Sequence, residues 1–118
     1  MTTRETMDRF FDALARRSGW ETFLADDVNF TSYTSPVKRV LGRVGTLQAV
    51  SRFYSIAERM ELRQLLVDGD RACALTHYHV RPPSGASAFE SDVAELFTVR
   101  DDRITEFAIY FDTAPYPR

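Results

Sequence analysis

The sequence has few of the features that mark several large protein classes. It contains one cysteine, Cys73, so no disulfide can form within the chain, which suits a reducing compartment. It has no apolar run near the roughly 18 residues of a membrane span, and no signal-peptide core at its N-terminus. Its net charge of −2 is not the excess of positive charge that is typical of nucleic-acid-binding proteins. We therefore expect a cytoplasmic protein without a membrane or nucleic-acid partner.

Short catalytic signatures are also missing. We find no glycine-rich phosphate loop, no serine-hydrolase signature and no Cys/His metal-ligand spacing. What is present is 118 residues, 44% of them hydrophobic, with nine Phe. This length and composition predict a single soluble globular domain, residues 1–118, with a core large enough to surround an apolar cavity.

The hydrophobic period changes from helical to strand-like near residue 59. Before that point, a capping box at Thr2 and Glu5 opens a helix with one apolar stripe, and Trp20–Leu24 and a segment from Gly45 predict two more helices. A strand is expected at 28–33 and a loop at 34–45. Strands are expected at 60–67, 71–81, 90–99 and 103–111. Helices followed by a strand meander predict an α+β fold.

Alternation assigns the strand residues to faces. We expect one wall of the cavity to carry Leu75, His77 and His79 from one strand, Glu95 and Phe97 from the next, and Phe107 and Ile109 from the last. A mostly apolar wall with a few polar groups is typical of a small-molecule site. An acid on such a wall has its charged form destabilised, so the pKa of Glu95 should be raised.

The order and spacing of four segments carry a family resemblance: 23–30, 45–54, 67–72 and 95–104. Together they resemble the nuclear transport factor 2-like superfamily, which includes the SnoaL-like polyketide cyclases and the ketosteroid isomerases. The resemblance covers nearly the whole chain. It implies a cone, in which a strongly curved, mostly antiparallel sheet wraps around three helices from the N-terminal half. It also implies a homodimer.

The ketosteroid isomerases carry an aspartic acid at the position that matches Glu95, kept protonated to stabilise an enolate. Their general base would fall at Ser32 and their oxyanion tyrosine at Phe10, and neither residue can do that work. Steroid isomerisation by that mechanism is therefore not expected. A tyrosine could replace the missing hydroxyl, and the candidates are Tyr33, Tyr54 and Tyr78, but aromatic residues of this kind more commonly serve in packing or at an interface.

Three further ionisable residues are candidate catalytic groups beside Glu95. His77 or His79 could pair with Glu95 as an acid/base dyad, or serve only as hydrogen-bonded pocket residues. Two histidines and an acid also fit a metal site, but the resemblance favours none, and we expect no cofactor. Asp112 resembles the acid that follows the last strand in SnoaL-like cyclases, and otherwise caps the turn before Pro115.

These observations predict a cofactor-independent acid/base enzyme of the isomerase or cyclase type. Its substrate would be a small apolar molecule that carries a carbonyl group. The alternative is a non-catalytic small-molecule-binding or dimerisation module of the same fold. The candidate substrate-binding residues are Phe10, Leu14, Ser32, Tyr33, Tyr54, Leu75, Phe97, Phe107 and Ile109.

Overall fold

The computed structural model describes residues 1–34, 36 and 38–116. This part of the chain forms two α-helices, a short 3₁₀ helix and six strands. In chain order they are α1 (Thr3–Ala15), the 3₁₀ helix (Trp20–Phe23), β1 (Leu24–Ser32), β2 (Lys38–Leu41), α2 (Arg43–Ile56), β3 (Ala57–Asp68), β4 (Arg71–Val80), β5 (Phe89–Arg100) and β6 (Arg103–Phe111). Neither α-helix has the length and apolar character needed to cross a membrane.

The strands form one curved, unclosed sheet in the order β2-β1-β6-β5-β4-β3. All neighbours are antiparallel except β1 and β6, which run parallel. The last four strands are therefore a meander, and β1 is added beside its final strand. Both α-helices pack on one face, which we call the concave face, and the other is the convex face. The predicted α+β cone is confirmed.

The first helix forms for the reasons the sequence suggests. The Thr2 hydroxyl accepts a hydrogen bond from the Glu5 backbone N–H, and the Glu5 carboxylate accepts one from the Thr2 N–H. Its apolar stripe faces the sheet, where Phe10 is completely buried. Phe10 makes edge-to-face contacts with Phe97 and Phe107, with ring centres 5.7 and 6.5 Å apart. This aromatic cluster fixes α1 against the meander.

The segment between β1 and α2 differs from its prediction as a loop. Residues Lys38–Leu41 pair antiparallel with β1 as an edge strand, short and mostly exposed, which hides its strand character in the sequence. The third predicted helix begins at Arg43, before Gly45. A Cβ at Gly45 would lie 2.5 Å from Val40 Cγ1, so glycine allows α2 to start directly against β2. The second predicted helix is a single 3₁₀ turn.

Candidate functional site

A hollow of about 320 Å³ lies between α2 and the concave face of the sheet. Its wall is mostly apolar and aromatic, as in small-molecule sites generally. The lining side chains come from β1 and β2 (Phe30, Ser32, Lys38, Val40), α2 (Ala49, Val50, Arg52, Phe53, Tyr54), the central strands (Tyr78, Val93, Glu95, Phe107, Ile109, Phe111) and the C-terminal segment (Tyr116).

Glu95 is the single carboxylate among these lining residues, and it is 2% exposed. It lies on β5, opposite Ala74 of β4 and Ile109 of β6, in the interior of the sheet. Its Oε2 accepts a hydrogen bond from the Thr76 hydroxyl at 2.7 Å and another from the Tyr78 hydroxyl at 2.9 Å. Both protein donors reach the same oxygen, which leaves Oε1 available to a molecule in the hollow.

Burial raises the pKa of Glu95 from its ordinary value of 4.5 to about 7. The hydrogen bonds from Thr76 and Tyr78 act in the opposite direction because they stabilise the carboxylate, but desolvation outweighs them. A carboxyl group with this pKa is present in both protonation states near neutral pH. That is the condition under which one group both accepts and returns a proton efficiently.

The neighbours of Glu95 also accommodate its neutral form. The Thr76 hydroxyl has one hydrogen but two acceptors within reach, Glu95 Oε2 and the Val93 carbonyl oxygen at 3.2 Å. When Glu95 is protonated, its O–H can donate to Thr76, whose own hydrogen then goes to Val93. Glu95 Oε2 and the Thr76 hydroxyl therefore keep a hydrogen-bond partner in either protonation state of Glu95.

Tyr54 of α2 lines the hollow beside Tyr78 and Glu95. Its side chain is buried, and its hydroxyl has no hydrogen-bond partner within the described residues. Burial and the nearby charge of Glu95 raise the pKa of Tyr54 well above 10.0, so its hydroxyl stays protonated. A buried donor without an acceptor is costly unless a ligand or water completes it.

Two cations belong to the same hollow. Lys38 of β2 and Arg52 of α2 are exposed, so they mark the side of the hollow that opens to solvent. Neither forms an ion pair within the part of the chain that the structure describes. The hollow therefore carries positive charge where it opens to solvent and the buried carboxyl group of Glu95 in its interior.

The predicted face of β4 was wrong. Tyr78 is 1% exposed and faces Glu95, whereas Leu75 is 38% exposed and lies on the convex face with His77 and His79. The predicted dyad of Glu95 with a histidine is therefore excluded, because the two types of side chain stand on opposite sides of the sheet. The sequence contained a signal for the correct face: the alternate residues of β4, from Ala72 to Val80, include no side chain that is charged near neutral pH, so burying them costs less free energy.

The remaining predicted site residues divide between the hollow and other places. Ser32, Tyr54, Phe107 and Ile109 line the hollow. Phe10 and Phe97 belong to the closed aromatic core instead, and Leu14 lines a separate depression of about 240 Å³ beside Trp20.

Two predicted residues lie outside the concave face altogether. Tyr33 is half exposed and stacks on Tyr110, with ring centres 5.0 Å apart. Asp112 is exposed, and its Oδ1 accepts a hydrogen bond from the Ala114 N–H at 3.0 Å. Of the two alternatives considered for Asp112, the structure therefore shows the turn cap.

Several lining residues were not found from the sequence. Val50 and Phe53 line the hollow from α2 beside the predicted Tyr54, at a helical spacing that could have indicated a buried helix face. Tyr116 follows an irregular segment with no periodic signal, and its hydroxyl donates to Ser91 Oγ at 3.1 Å. This contact holds Tyr116 against β5, where its side chain contributes to the wall of the hollow.

Comparison with known proteins agrees with this geometry. Residues 7–107 match the sequence profile of the SnoaL-like domain. No protein of curated function matches the chain. A similar solved structure is a protein from Kribbella flavida DSM 17836 with a provisional ketosteroid isomerase assignment. Its TM-score is 0.78 at 20% identity, over 98% of this chain and 82% of that one.

Two further solved structures are similar. A protein from Mesorhizobium loti with a provisional SnoaL-like polyketide cyclase assignment has a TM-score of 0.73 at 22% identity, over 93% of this chain and 99% of that one. An NTF2-like protein of unknown function from Burkholderia pseudomallei K96243 has a TM-score of 0.79 at 21% identity, over 96% and 92%. At these identities the similarity establishes the fold alone.

Proposed function

Since this chain belongs to the SnoaL-like domain family of the nuclear transport factor 2-like superfamily, we propose that it is an acid/base enzyme of the isomerase or cyclase type. Its substrate is a small, largely apolar molecule with a carbonyl group, bound in the hollow. The observation that carries the proposal is Glu95, a carboxyl group in a mostly apolar wall with no cationic partner among the described residues, whose pKa burial raises to about 7.

The proposed chemistry uses two groups of the hollow. The Tyr54 hydroxyl donates a hydrogen bond to the substrate carbonyl oxygen and stabilises negative charge that develops there. Glu95 exchanges a proton with the carbon next to that carbonyl, through Oε1, while Thr76 and Tyr78 hold Oε2. Return of the proton to a different carbon of a conjugated enolate moves the double bond and is an isomerisation, and attack of an enolate on a second carbonyl of the same molecule is an aldol-type cyclisation.

The mouth of the hollow supports an orientation for the substrate. Lys38 and Arg52 would bind a partly negative oxygen substituent, and the apolar wall would bind the rest of the molecule. The carbonyl to be activated then points inward, toward Tyr54 and Glu95. This arrangement needs no cofactor.

Deuterium exchange tests the proposal without knowledge of the natural substrate. A panel of cyclic ketones with and without an acidic substituent is incubated with the protein in D₂O, and incorporation is measured by mass spectrometry. We expect Glu95→Gln to slow exchange by at least about 100-fold. Asp112→Asn is the matched control, because Asp112 lies in a turn outside the hollow, and its rate should equal that of the unmodified protein. Equal rates in all three proteins would remove Glu95 from the mechanism.

The competing function is a non-catalytic small-molecule-binding module. One observation favours it: Thr76 and Tyr78 already satisfy Glu95 Oε2, so this network is complete as a structural element. Binding of the panel measured by calorimetry, together with no exchange in the unmodified protein, would select this alternative.

The homodimer also belongs to the proposal. Large apolar side chains are exposed together on the convex face, and a second copy of the chain could cover them: Tyr33, Leu75, Leu96 and Tyr110. Light scattering at several concentrations measures the mass, and a monomer at all of them would contradict the dimer.

A further inference from the structure

The convex face carries a group of ionisable side chains that the proposed function does not use. Strand pairing places Glu61 of β3 opposite His77 of β4, which is opposite Asp92 of β5, and places His79 opposite Glu90. These five residues share one face because paired residues in a sheet point to the same side. We call Glu61, His77, His79, Glu90 and Asp92 the convex-face cluster.

Three of these side chains converge closely enough to share an ion. One donor atom from each of Glu61, His77 and His79 lies within 4.8 Å of the others. His79 Nε2 is 3.7 Å from Glu61 Oε2, and Glu90 Oε1 is 2.8 Å from His77 Nε2 and 3.5 Å from His79 Nδ1. Small side-chain rotations bring such atoms to the roughly 2 Å bonds of imidazole and carboxylate around zinc.

Asp92 supplies the support that a metal-binding histidine normally has. Its Oδ1 is 2.6 Å from His77 Nδ1. A histidine that binds a metal commonly donates its other ring N–H to a carboxylate, which fixes the ring and makes the free nitrogen a better ligand. With Nδ1 held by Asp92, the Nε2 atom of His77 is directed toward Glu90 and the centre of the cluster.

His79 is already an acceptor at one nitrogen. Its Nε2 lies 2.9 Å from an Arg59 guanidinium nitrogen. Because arginine can only donate, this His79 nitrogen carries the lone pair that a metal requires. Arg59 is exposed on β3, the edge strand, so its side chain can turn into solvent when a cation binds. Arg63, which lies near Glu61 and Asp92, is exposed as well.

We propose that Glu61, His77 and His79 bind a divalent transition metal of the zinc class, with Glu90 as fourth ligand and Asp92 orienting His77. Imidazole and carboxylate oxygen are the donors that suit Zn²⁺, Co²⁺ and Ni²⁺. The site differs from the sequence expectation of no metal. It lies across the sheet from Glu95, so it is independent of the proposed catalytic hollow.

Metal titration of the chelator-treated protein at one fixed pH tests the site. We expect calorimetry to show one Zn²⁺ per chain with a dissociation constant of about 10 μM or tighter. Co²⁺ in its place should give the visible absorption of a four-coordinate ion. His79→Ala and Glu61→Gln should each weaken Zn²⁺ binding by at least about tenfold, and Asp92→Asn by about 10- to 100-fold.

Glu58→Gln is the matched control. Glu58 is an exposed glutamate on the same strand, three residues before Glu61, and pairs with Arg81 outside the cluster. Its binding constant should equal that of the unmodified protein, and thermal melting of every metal-free variant confirms folding. Equal Zn²⁺ binding by all variants, an equal loss in Glu58→Gln, or no binding at about 1 mM Zn²⁺ would overturn the proposal. The cluster would then be an ion-pair network only.

Discussion

On its concave face the sheet holds a lone carboxyl group, Glu95, away from solvent, whereas on its convex face His77 lies among carboxylates near water. Burial raises the pKa of Glu95 because the hydrogen bonds from Thr76 and Tyr78 only partly offset the loss of water around the carboxylate. Hydrogen bonds with Asp92 and Glu90 raise the pKa of His77, and the same contacts lower the pKa of both acids. One face therefore favours a neutral acid, and the other favours charged groups that stabilise one another.

The two faces also differ in how deeply they bury apolar side chains, as two neighbours on β5 show. Phe97 is 2% exposed on the concave face, and its neighbour Leu96 is 39% exposed on the convex face. We expect Phe97→Ala to lower the free energy of unfolding by about 3–5 kcal/mol, because it opens a cavity in the aromatic core. Leu96→Ala should cost less than about 1 kcal/mol. Urea denaturation measures both, and equal losses would contradict the assignment of the two faces.

The pH dependence of the free energy of unfolding should reveal the raised pKa of Glu95 on the concave face. Between pH 4.5 and about 7 the folded protein holds a proton on Glu95 that the unfolded chain has lost. The contribution of Glu95 to the free energy of unfolding therefore falls as pH rises through this window, by roughly 3 kcal/mol at 1.36 kcal/mol per pH unit, and is constant above pH 7. Glu95→Gln should remove this fall. Parallel stability curves for the two proteins, from denaturation at a series of pH values, would contradict it.

A smaller effect is expected at Tyr78, which donates to Glu95 Oε2. Tyr78→Phe should lower the free energy of unfolding by roughly 1–2 kcal/mol. It should also raise the pKa of Glu95 further, since the carboxylate loses a donor. Tyr110→Phe is the control, because Tyr110 is half exposed on the convex face. Denaturation at fixed pH compares the two variants, and equal stabilities would show that the Tyr78 hydroxyl contributes nothing to the buried network.

The sequence was sufficient for the fold because its periodic signals agree with one another. The capping box and apolar stripe place α1, and the alternation of Glu95 with Phe97 and of Phe107 with Ile109 assigns both strands to the correct face. The edge strand β2 was predicted as a loop, because a short strand of exposed, charged residues has the same sequence pattern as a loop.

The site was predicted only in part, since β4 carries apolar residues on both faces. Leu75 lies on the convex face, and the apolar residues of the concave face alternate with the Thr76 and Tyr78 hydroxyls. Those hydroxyls are buried because each has an acceptor in Glu95. That compensation depends on the pairing of β4 with β5, which alternation within one strand does not reveal.

Titration of the Glu95 carboxyl group itself tests most directly whether the hollow controls the proton affinity of this residue. The chemical shift of the carboxyl carbon, followed by NMR in ¹³C-glutamate-labelled protein and assigned by comparison with Glu95→Gln, reports its ionisation. We expect a midpoint near pH 7. A midpoint at the ordinary value of 4.5 would mean that Glu95 is solvated or paired with a cation, and would contradict its role as an acid/base group.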